Sequence, residues 1–259
     1  MAFNPRDIYL VFDSPIPYKQ LTLYPVKMKD YYIFAFLSQC LMLEKTADPD
    51  PIKAISMTYL EYLFYKSDDE NKLIYLMDGL LRMVLGKQPD EKFEIKYMVG
   101  KDNRPVFEIE GEVYDSDDFM QLREIISEQN GLELPNEKIQ KTVRDEMEKA
   151  RKYKEKLKGT KIASLEDQMV ALSIYSGWDL EKIYSLTIRK FKRALMRANH
   201  MLYQQVFLQA KYGGMVTFKD ESFINGWLAD IDKEAKYGDV TMDLEDLQSK
   251  VSLESAKTK

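Results

Sequence analysis

The chain has 259 residues, of which 45% are hydrophobic and 12% aromatic, so it can bury a sizeable core. Its formal net charge of −5 gives no general attraction to nucleic acid or to anionic membranes. Cys40 is the only cysteine and His200 the only histidine, which excludes disulfide frameworks and Cys/His zinc sites and favours an intracellular protein. No signal-peptide pattern opens the chain and no apolar run approaches the ~18 residues of a membrane span, so we expect neither secretion nor membrane insertion.

Residues 1–90 predict a helical module with extended N-terminal arms. Asp7–Phe12 is rich in strand-forming residues and predicts a strand, and Leu21–Val26 alternates like a second one. Lys27–Leu43 is dense in aromatic residues and lacks Gly and Pro. That pattern is typical of a helix that is buried on most of its circumference.

Two more helices complete this module. Asp50 suits an N-cap because Pro51 follows it at the first helical position, where a missing N–H does no harm. A further helix at about residues 70–85 ends at Gly86, since glycine readily adopts the left-handed conformation that closes a helix. Apolar side chains recur at helical spacing after Pro51, namely Ile52, Ile55, Met57, Leu60, Leu63 and Phe64.

Residues 91–136 predict a central β-hairpin with a helix packed on it. Apolar and polar residues alternate in Phe93–Val99, and the loop Gly100–Arg104 separates this strand from a second one in Val106–Ile109. Val113 and Tyr114 extend the sheet. At residue 93 the spacing of apolar residues therefore changes from that of a helix to that of a strand.

The helix that follows starts at a cap formed by Asp115 or Ser116 and stops abruptly at Gln129, Asn130 and Gly131. Its apolar face contains Phe119, Leu122, Ile125 and Ile126. The amides of Gln129 and Asn130 could bind a ligand, or the three residues could form a structural joint. Because Asn130 or Gly131 can adopt the left-handed conformation that ends a helix, we favour the joint.

The remaining chain predicts three segments. Residues 137–162 form a charged helical linker, since ten basic and five acidic residues lie between positions 137 and 161 with few large apolar ones. Residues 163–231 form a C-terminal helical module, and residues 232–259 an acidic, disordered tail.

The C-terminal module begins at Ser164, which suits a capping box with Asp167. A first helix ends at Gly177, and residues 178–213 form one long helix or two helices that meet near Ser185. The apolar face of this region contains Ile183, Leu186, Phe191, Leu195, Leu202 and Val206.

Candidate catalytic residues are few, and we expect neither an enzyme nor a cofactor or metal site. His200 lies inside a predicted helix, where a general base seldom reaches a nucleophile held elsewhere. Cys40 lies in an aromatic helix and predicts a small buried hydrophobe. Carboxylates that would suit a magnesium-dependent nuclease, a third and less favoured function, are better explained by helix capping or solvation: Asp68, Asp69, Asp115, Asp117, Asp118, Glu245 and Asp246.

The most polarised feature is the stretch Lys182–Lys219, which holds eight basic residues and no acidic one, whereas residues 220–246 hold nine acidic residues and two lysines. The acidic segment could fold back on the basic helix, an acidic surface of a partner protein could dock there, or nucleic acid could bind. We favour the partner protein. The predicted partner-binding residues are Arg189, Lys192, Arg193 and Arg197, three of which lie four residues apart on one helical face. Trp178 and Trp227 are predicted packing anchors.

Three segments carry a resemblance to a known group of proteins. They are residues 16–45, residues 107–131 with FMQLREIISEQN at Phe119–Asn130, and residues 177–195 with the Gly177-Trp178 start. These segments resemble the tail and baseplate assembly proteins of long-tailed bacteriophages, in particular tail assembly chaperones. The resemblance implies a protein without enzymatic activity that binds another tail component, such as a tape-measure or baseplate hub protein.

We therefore predict an α+β, predominantly α-helical protein with a helical N-terminal module, a central β-hairpin with its packed helix, and a helical C-terminal module. The predicted function is phage tail or baseplate assembly through protein–protein contacts in the host cytoplasm. A nucleic-acid-binding phage regulator and a structural component of the virion tail are the alternatives. Nucleic acid is the less favoured partner, no membrane contact is expected, and homo-oligomerisation stays open.

Overall fold

The structure, a computed structural model, describes residues 6–67, 72–88, 91–100, 102–135, 149 and 163–213. These residues fall into two compact units. The first unit contains the described residues up to 135 together with Met169–Leu195, and the second contains those within Ile139–Gln168 and Met196–Lys259. The predicted linker at 137–162, apart from Lys149, and the predicted tail at 232–259 lie outside the described residues. The five-part division of the sequence stays a prediction.

The described elements confirm a predominantly helical α+β fold. The helices are α1 (Arg6–Phe12), α2 (Tyr31–Leu37), α3 (Pro51–Ser56), α4 (Tyr59–Lys66), α5 (Lys72–Val84), α6 (Ser116–Asn130), α7 (Leu165–Ser176), α8 (Leu180–Ser185) and α9 (Ile188–Tyr212). The strands are β1 (Ile16–Tyr18), β2 (Leu21–Leu23), β3 (Ile95–Val99), β4 (Pro105–Ile109) and β5 (Glu112–Tyr114). β1 and β2 form an antiparallel ribbon, and the other three strands form an antiparallel sheet in the order β3-β4-β5.

The strand predicted at Asp7–Phe12 is wrong, because these residues form most of α1. The preference of a side chain for β-strands is weak and depends on its surroundings. In this segment tertiary contacts stabilise a helix instead. Arg6 donates to Gln121 at 2.9 Å and lies 3.6 Å from the carboxylate of Glu128, which ties the first turn to α6. Three apolar side chains of α1 are exposed at helical spacing: Ile8, Val11 and Phe12.

The helix predicted at Lys27–Leu43 is correct for most of its length but is not continuous. A 3₁₀ turn at Met28–Asp30 precedes α2, and another at Ser38–Leu41 follows it. The Ser38 hydroxyl donates to the carbonyl of Ala35 at 3.3 Å, where the backbone tightens from one helical form to the other.

A break at Thr58 divides the segment after Pro51 into α3 and α4. Asp50 caps α3 as predicted, since its side chain accepts from the N–H of Lys53. Thr58 starts α4 with a capping box, in which Glu61 accepts from the Thr58 N–H at 2.6 Å. Apolar residues on the two sides of this new helix start no longer share one face. Two of the predicted face residues, Ile52 and Ile55, are consequently exposed.

The prediction for α5 and its end is confirmed. The helix buries Leu76, Met77, Leu80, Leu81 and Val84 on one side. Gly86 has a φ of +68°, and the N–H of Lys87 returns to the carbonyl of Arg82 at 3.0 Å. This left-handed residue satisfies carbonyls that the helix end would otherwise leave unpaired.

The predicted hairpin is confirmed, and Val113 and Tyr114 extend the sheet as predicted, within β5. Glu110 and Gly111 have φ values of +51° and +87°, as a two-residue turn between β4 and β5 requires. Asp115 caps α6 as predicted, with its side chain accepting from the N–H groups of Asp117 and Asp118.

Aromatic rings hold α6 on the sheet and on α4. The Phe119 ring meets Phe107 of β4 edge to face, with centroids 6.0 Å apart, and stacks on Tyr59 of α4 at 6.1 Å. The buried guanidinium of Arg123 lies 3.7 Å from the Tyr59 ring centroid, and its Nε donates to the carbonyl of Leu41.

The end of α6 is a structural joint, as predicted. Gly131 has a φ of +57° and ends the helix. The buried Asn130 side chain accepts from the N–H of Val26 at 2.8 Å through Oδ1 and donates to the carbonyl of Ile126 at 2.8 Å through Nδ2. Gln129 Nε2 donates to the carbonyl of Leu23 at 3.0 Å. These two amides connect the β1-β2 ribbon to the core.

The segment after α8 pairs with the chain next to that joint. The N–H of Met28 donates to the carbonyl of Leu186 at 2.8 Å, and the N–H of Ile188 donates to the carbonyl of Val26 at 2.9 Å. This pairing extends the backbone between α8 and α9. Of the two predictions for the region after Gly177, two helices that meet near Ser185 is therefore correct.

Within the second unit, Ser164 and Asp167 confirm the predicted helix start. The N–H of Asp167 donates to the Ser164 hydroxyl at 3.1 Å, and that hydroxyl donates to the Asp167 carboxylate at 2.7 Å. The predicted apolar face holds at Ile183, Leu186 and Phe191, which are buried in the first unit. It fails in the second, because Leu202 and Val206 are exposed.

We predict that Asn130→Ala lowers the free energy of unfolding by about 1–3 kcal/mol, because the Val26 N–H would remain buried without its acceptor. Urea denaturation at neutral pH measures the loss. Asn199→Ala is the matched control, since Asn199 is exposed on α9 and its removal should change stability by less than about 0.5 kcal/mol. Equal effects of the two substitutions would show that the joint contributes nothing specific.

Candidate protein-binding surface

α2 presents an apolar face to solvent, which contradicts the predicted burial of most of its circumference. Phe34 is buried, but the side chains of Tyr32, Ile33 and Phe36 are exposed at 72%, 56% and 54%. Positions four residues apart lie on the same side of a helix, so Tyr32 and Phe36 form one stripe with Ile33 beside it. Large apolar side chains exposed together indicate an interaction surface.

Tyr75 of α5 belongs to the same region of the first unit. α2 packs against α5 where Leu37 meets Gly79, and a Cβ at Gly79 would lie 2.8 Å from a Leu37 methyl group. Tyr75 is one turn before Gly79 on the same side of α5 and is 69% exposed, so the neighbouring helix also has an exposed aromatic side chain. We call Tyr32, Ile33 and Phe36 the α2 face.

The α2 face carries no charge of its own. The sequence from Tyr31 to Leu43 contains no ionisable acidic or basic residue, and its other exposed positions are Ala35 and Gln39. Such a surface attracts partners by removing apolar area from water and gives little long-range steering. Tyr and Phe suit this role because each has a large apolar body with few rotatable bonds.

Of the predicted partner-binding residues, Arg189 and Lys192 make contacts within the first unit. Arg189 donates to the carbonyl of Leu10 in α1 at 2.8 Å, and Lys192 Nζ donates to the carbonyl of Gly131 at 2.7 Å. Burial lowers the pKa of Lys192, because removal from water disfavours its charged form. Both side chains therefore stabilise the ends of helices, and a further role with a partner stays a prediction.

Arg193 and Arg197 belong to different compact units, and each is partly exposed. Their role in partner binding stays a prediction. Trp178, a predicted packing anchor, is 40% exposed. Trp227 lies outside the described residues.

The structure describes some of the residues considered for catalysis. Cys40 is fully buried, which raises the pKa of its thiol to about 12. His200 lies within α9 and is partly exposed. Asp68 and Asp69 lie outside the described residues, as do Glu245 and Asp246. Within the part of the chain that the structure describes, no three His, Cys, Asp or Glu side chains are grouped so that they could hold a metal ion.

Asp118 connects α6 to the β1-β2 ribbon. Its carboxylate accepts from Lys19 Nζ at 2.6 Å, from the Tyr18 hydroxyl at 2.7 Å and from the N–H of Asp115 at 3.1 Å. Burial raises the pKa of Asp118, but the hydrogen bonds from Lys19, Tyr18 and Asp115 outweigh it and hold the pKa below its ordinary value. This carboxylate is occupied by contacts that stabilise the fold.

The α2 face is what sequence reasoning missed. The absence of charge from Tyr31 to Leu43 was the available signal, and it fits a buried helix and an exposed apolar one equally well. Among the described helices, none is both long and apolar enough to cross a lipid bilayer.

Comparison with family models places a match in the C-terminal part of the chain. Residues 152–232 match the family model of the YomV second domain, a phage-derived family from a Bacillus prophage. The matched stretch includes α7, α8 and α9. No curated protein and no solved structure matches the chain. This part of the chain is therefore similar to a phage-type domain.

We predict that Asp118→Asn lowers the free energy of unfolding by about 1–2 kcal/mol at neutral pH, because it removes the charge that Lys19 and the helix start stabilise. Folding lowers the pKa of this carboxyl group. Such a group stabilises the fold at any pH above its pKa in the unfolded chain, and this stabilisation is lost as the pH falls through its pKa in the folded chain. The difference from the unaltered chain should therefore shrink below pH 3.8. Urea denaturation from neutral to acid pH measures it.

Asp117→Asn is the control for this prediction. Asp117 is the neighbouring residue in the same helical turn, but its side chain is exposed. Its neutralisation should cost less than about 0.5 kcal/mol, with little change at acid pH. A loss at Asp117 equal to that at Asp118 would mean that the general charge of the helix start, and not the contact with Lys19, matters.

Proposed function

We propose that this protein is a non-enzymatic phage tail or baseplate assembly factor, chaperone-like, that acts through protein–protein contacts in the host cytoplasm. The observation that carries the proposal is the α2 face. The similarity of residues 152–232 to a phage-type domain supports a phage context. The resemblance of residues 16–45, 107–131 and 177–195 to tail assembly proteins supports the finer role.

The size of the α2 face favours a contact that forms and is later released. Tyr32, Ile33 and Phe36 are exposed at 72%, 56% and 54%. At ~150–250 Å² for a fully exposed aromatic side chain, Tyr32 and Phe36 offer together roughly 250 Å² of apolar area, and Ile33 adds to it. A stable interface buries about 800 Å² on each partner, so this patch alone supports a transient complex. Assembly factors need that property because they leave before the particle is complete.

The proposed partner is a tail component with an exposed apolar surface, such as a tape-measure or baseplate hub protein. An uncharged apolar surface shields a partner that would otherwise aggregate, because both surfaces lose contact with water. Arg193 and Arg197 would add contacts to acidic groups of the partner. A structural role in the virion tail would use the same surface, and the absence of the chain from purified particles would favour the assembly factor.

Nucleic-acid binding is the less favoured function. Two of the four cationic side chains proposed for binding, Arg189 and Lys192, already donate to backbone carbonyls of their own unit. Phosphate binding would require these cations to exchange one partner for another. DNA or RNA binding with an affinity that falls steeply with salt would support a regulator instead.

We predict that the double substitution Tyr32→Ser with Phe36→Ser weakens binding to a tail component at least about tenfold, since buried aromatic residues dominate interface energies. The test co-expresses the full chain with the tape-measure or baseplate hub protein of the same phage genome. Complexes are measured by size-exclusion chromatography with light scattering, followed by titration. Both side chains are exposed, so the stability of the variant should change by less than about 1 kcal/mol.

Phe12→Ser is the matched control, because Phe12 of α1 is as exposed as Tyr32 but lies on another helix. It should leave the complex intact. Failure of the unaltered chain to bind either tail protein would contradict the proposed function. A complex that survives the double substitution would show that the α2 face is not the contact.

A further inference from the structure

β3 is an edge strand with hydrogen-bonding groups that face away from the sheet. In an antiparallel pair, opposite residues alternate between those that exchange hydrogen bonds and those that do not. Gly100 donates to Arg104 at 2.7 Å, and Val99 lies opposite Pro105, which has no N–H. The N–H and carbonyl groups of Tyr97 and Val99 therefore point to the free side of β3.

These edge groups have no partner among the described residues. The described backbone and side-chain hydrogen bonds include none to the outward groups of Tyr97 or Val99. The Val99 side chain is 70% exposed, and β3 is as long as its partner β4. An open edge of this kind is a template for pairing with another strand.

A cavity lies beside the same edge. It has a volume of about 380 Å³ and lies between α4 and the loop end of the hairpin. Phe64 and Tyr97 form an apolar wall with their rings 5.7 Å apart, and Val99 and Pro105 also line it. This volume exceeds that of one large apolar side chain. A strand paired with β3 would place alternate side chains on the side of the sheet where α4 lies.

We propose that an extended, uncharged segment of another protein adds to β3 as a fourth strand and places one apolar side chain in this cavity. Backbone hydrogen bonds to Tyr97 and Val99 supply affinity that does not depend on sequence, and the cavity supplies selectivity for the side chain. The inference goes beyond the proposed function, because it uses a different surface and holds for any partner with such a segment.

Charge at the site favours an uncharged guest. Glu61 is the charged residue of the cavity lining, and it is already paired with Arg104 at 3.5 Å and with the N–H of Thr58. On the strand itself, Lys96 lies 3.5 Å from Glu108 of β4. A charged side chain in the guest would therefore lose water without gaining an unpaired partner.

A second copy of this chain fits the site less well than a separate segment does. If β3 paired with β3 of another copy around Tyr97, Val99 would lie opposite Ile95 of the second copy. Ile95 is only 7% exposed because it packs in its own core. Ile95 cannot also fill the cavity of the other copy, so the apolar wall of that cavity would stay in contact with water.

The test selects peptides from a displayed random twelve-residue library on the full chain and measures the affinity of the enriched peptides by fluorescence anisotropy. Enriched peptides should alternate apolar and small polar residues and lack charge. Val99→Pro removes an outward N–H that the ladder with β4 does not use, and it should weaken binding at least about tenfold.

Val113→Pro is the matched control on the opposite edge of the same sheet. Ile109 and Glu112 flank the two-residue turn, so the N–H of Val113 points outward from β5, and its side chain is 48% exposed. This substitution should leave peptide binding unchanged. Equal loss in both variants would overturn the proposal.

Hydrogen exchange on the unaltered chain gives a readout that does not depend on how the variants fold. A bound peptide should slow exchange of the Tyr97 and Val99 amides and leave that of Val113 unchanged. No enriched peptide, enrichment of charged peptides, or protection elsewhere would overturn the proposal. Protection of the same amides without peptide, rising with protein concentration, would identify a second copy as the occupant and also overturn it.

Discussion

The amide of Asn130 is the interaction on which the first unit depends. It accepts from Val26 and donates to Ile126, so one buried side chain joins the end of α6 to the segment that follows the β1-β2 ribbon. The carbonyl of Val26 then accepts from Ile188, and the adjacent carbonyl of Gly131 accepts from Lys192. Three segments far apart in sequence thus meet through a few hydrogen bonds around the buried Asn130 side chain. Buried polar groups of this kind are worth little when paired but cost much when one partner is lost.

Local chemistry made this joint predictable, and distance in the sequence hid its partners. Gly131 and the caps at Asp50, Asp115 and Ser164 act on backbone groups within three or four residues, so the sequence signals them directly. Val26 is 104 residues from Asn130, and no local rule connects them. The same limit explains α1, where contacts with α6 outweigh the strand-forming composition of Asp7–Phe12.

Side-chain burial was the least predictable property, and it decides where a partner can bind. An uncharged segment such as Tyr31–Leu43 shows the same sequence pattern whether the second side of its helix packs in the core or binds a partner protein. The α2 face was hidden for this reason, whereas the basic residues were visible because charge stands out in a sequence. Arg189 and Lys192 are conspicuous cations in the sequence, and each donates to a carbonyl within its own unit, while their role with a partner stays a prediction. An exposed apolar side chain and a partly buried cation are each informative because each opposes the ordinary trend.

The buried thiol of Cys40 has a practical consequence. It is the only sulfhydryl of the chain, it lies in the 3₁₀ turn directly after α2, and burial keeps it protonated at physiological pH. Thiolates react with alkylating reagents and thiols scarcely do, so modification must wait until this turn opens to water. The rate of alkylation in the native protein therefore reports how often the region under α2 opens, without any introduced label. A partner that covers α2 should slow that reaction even though it never touches the sulfur.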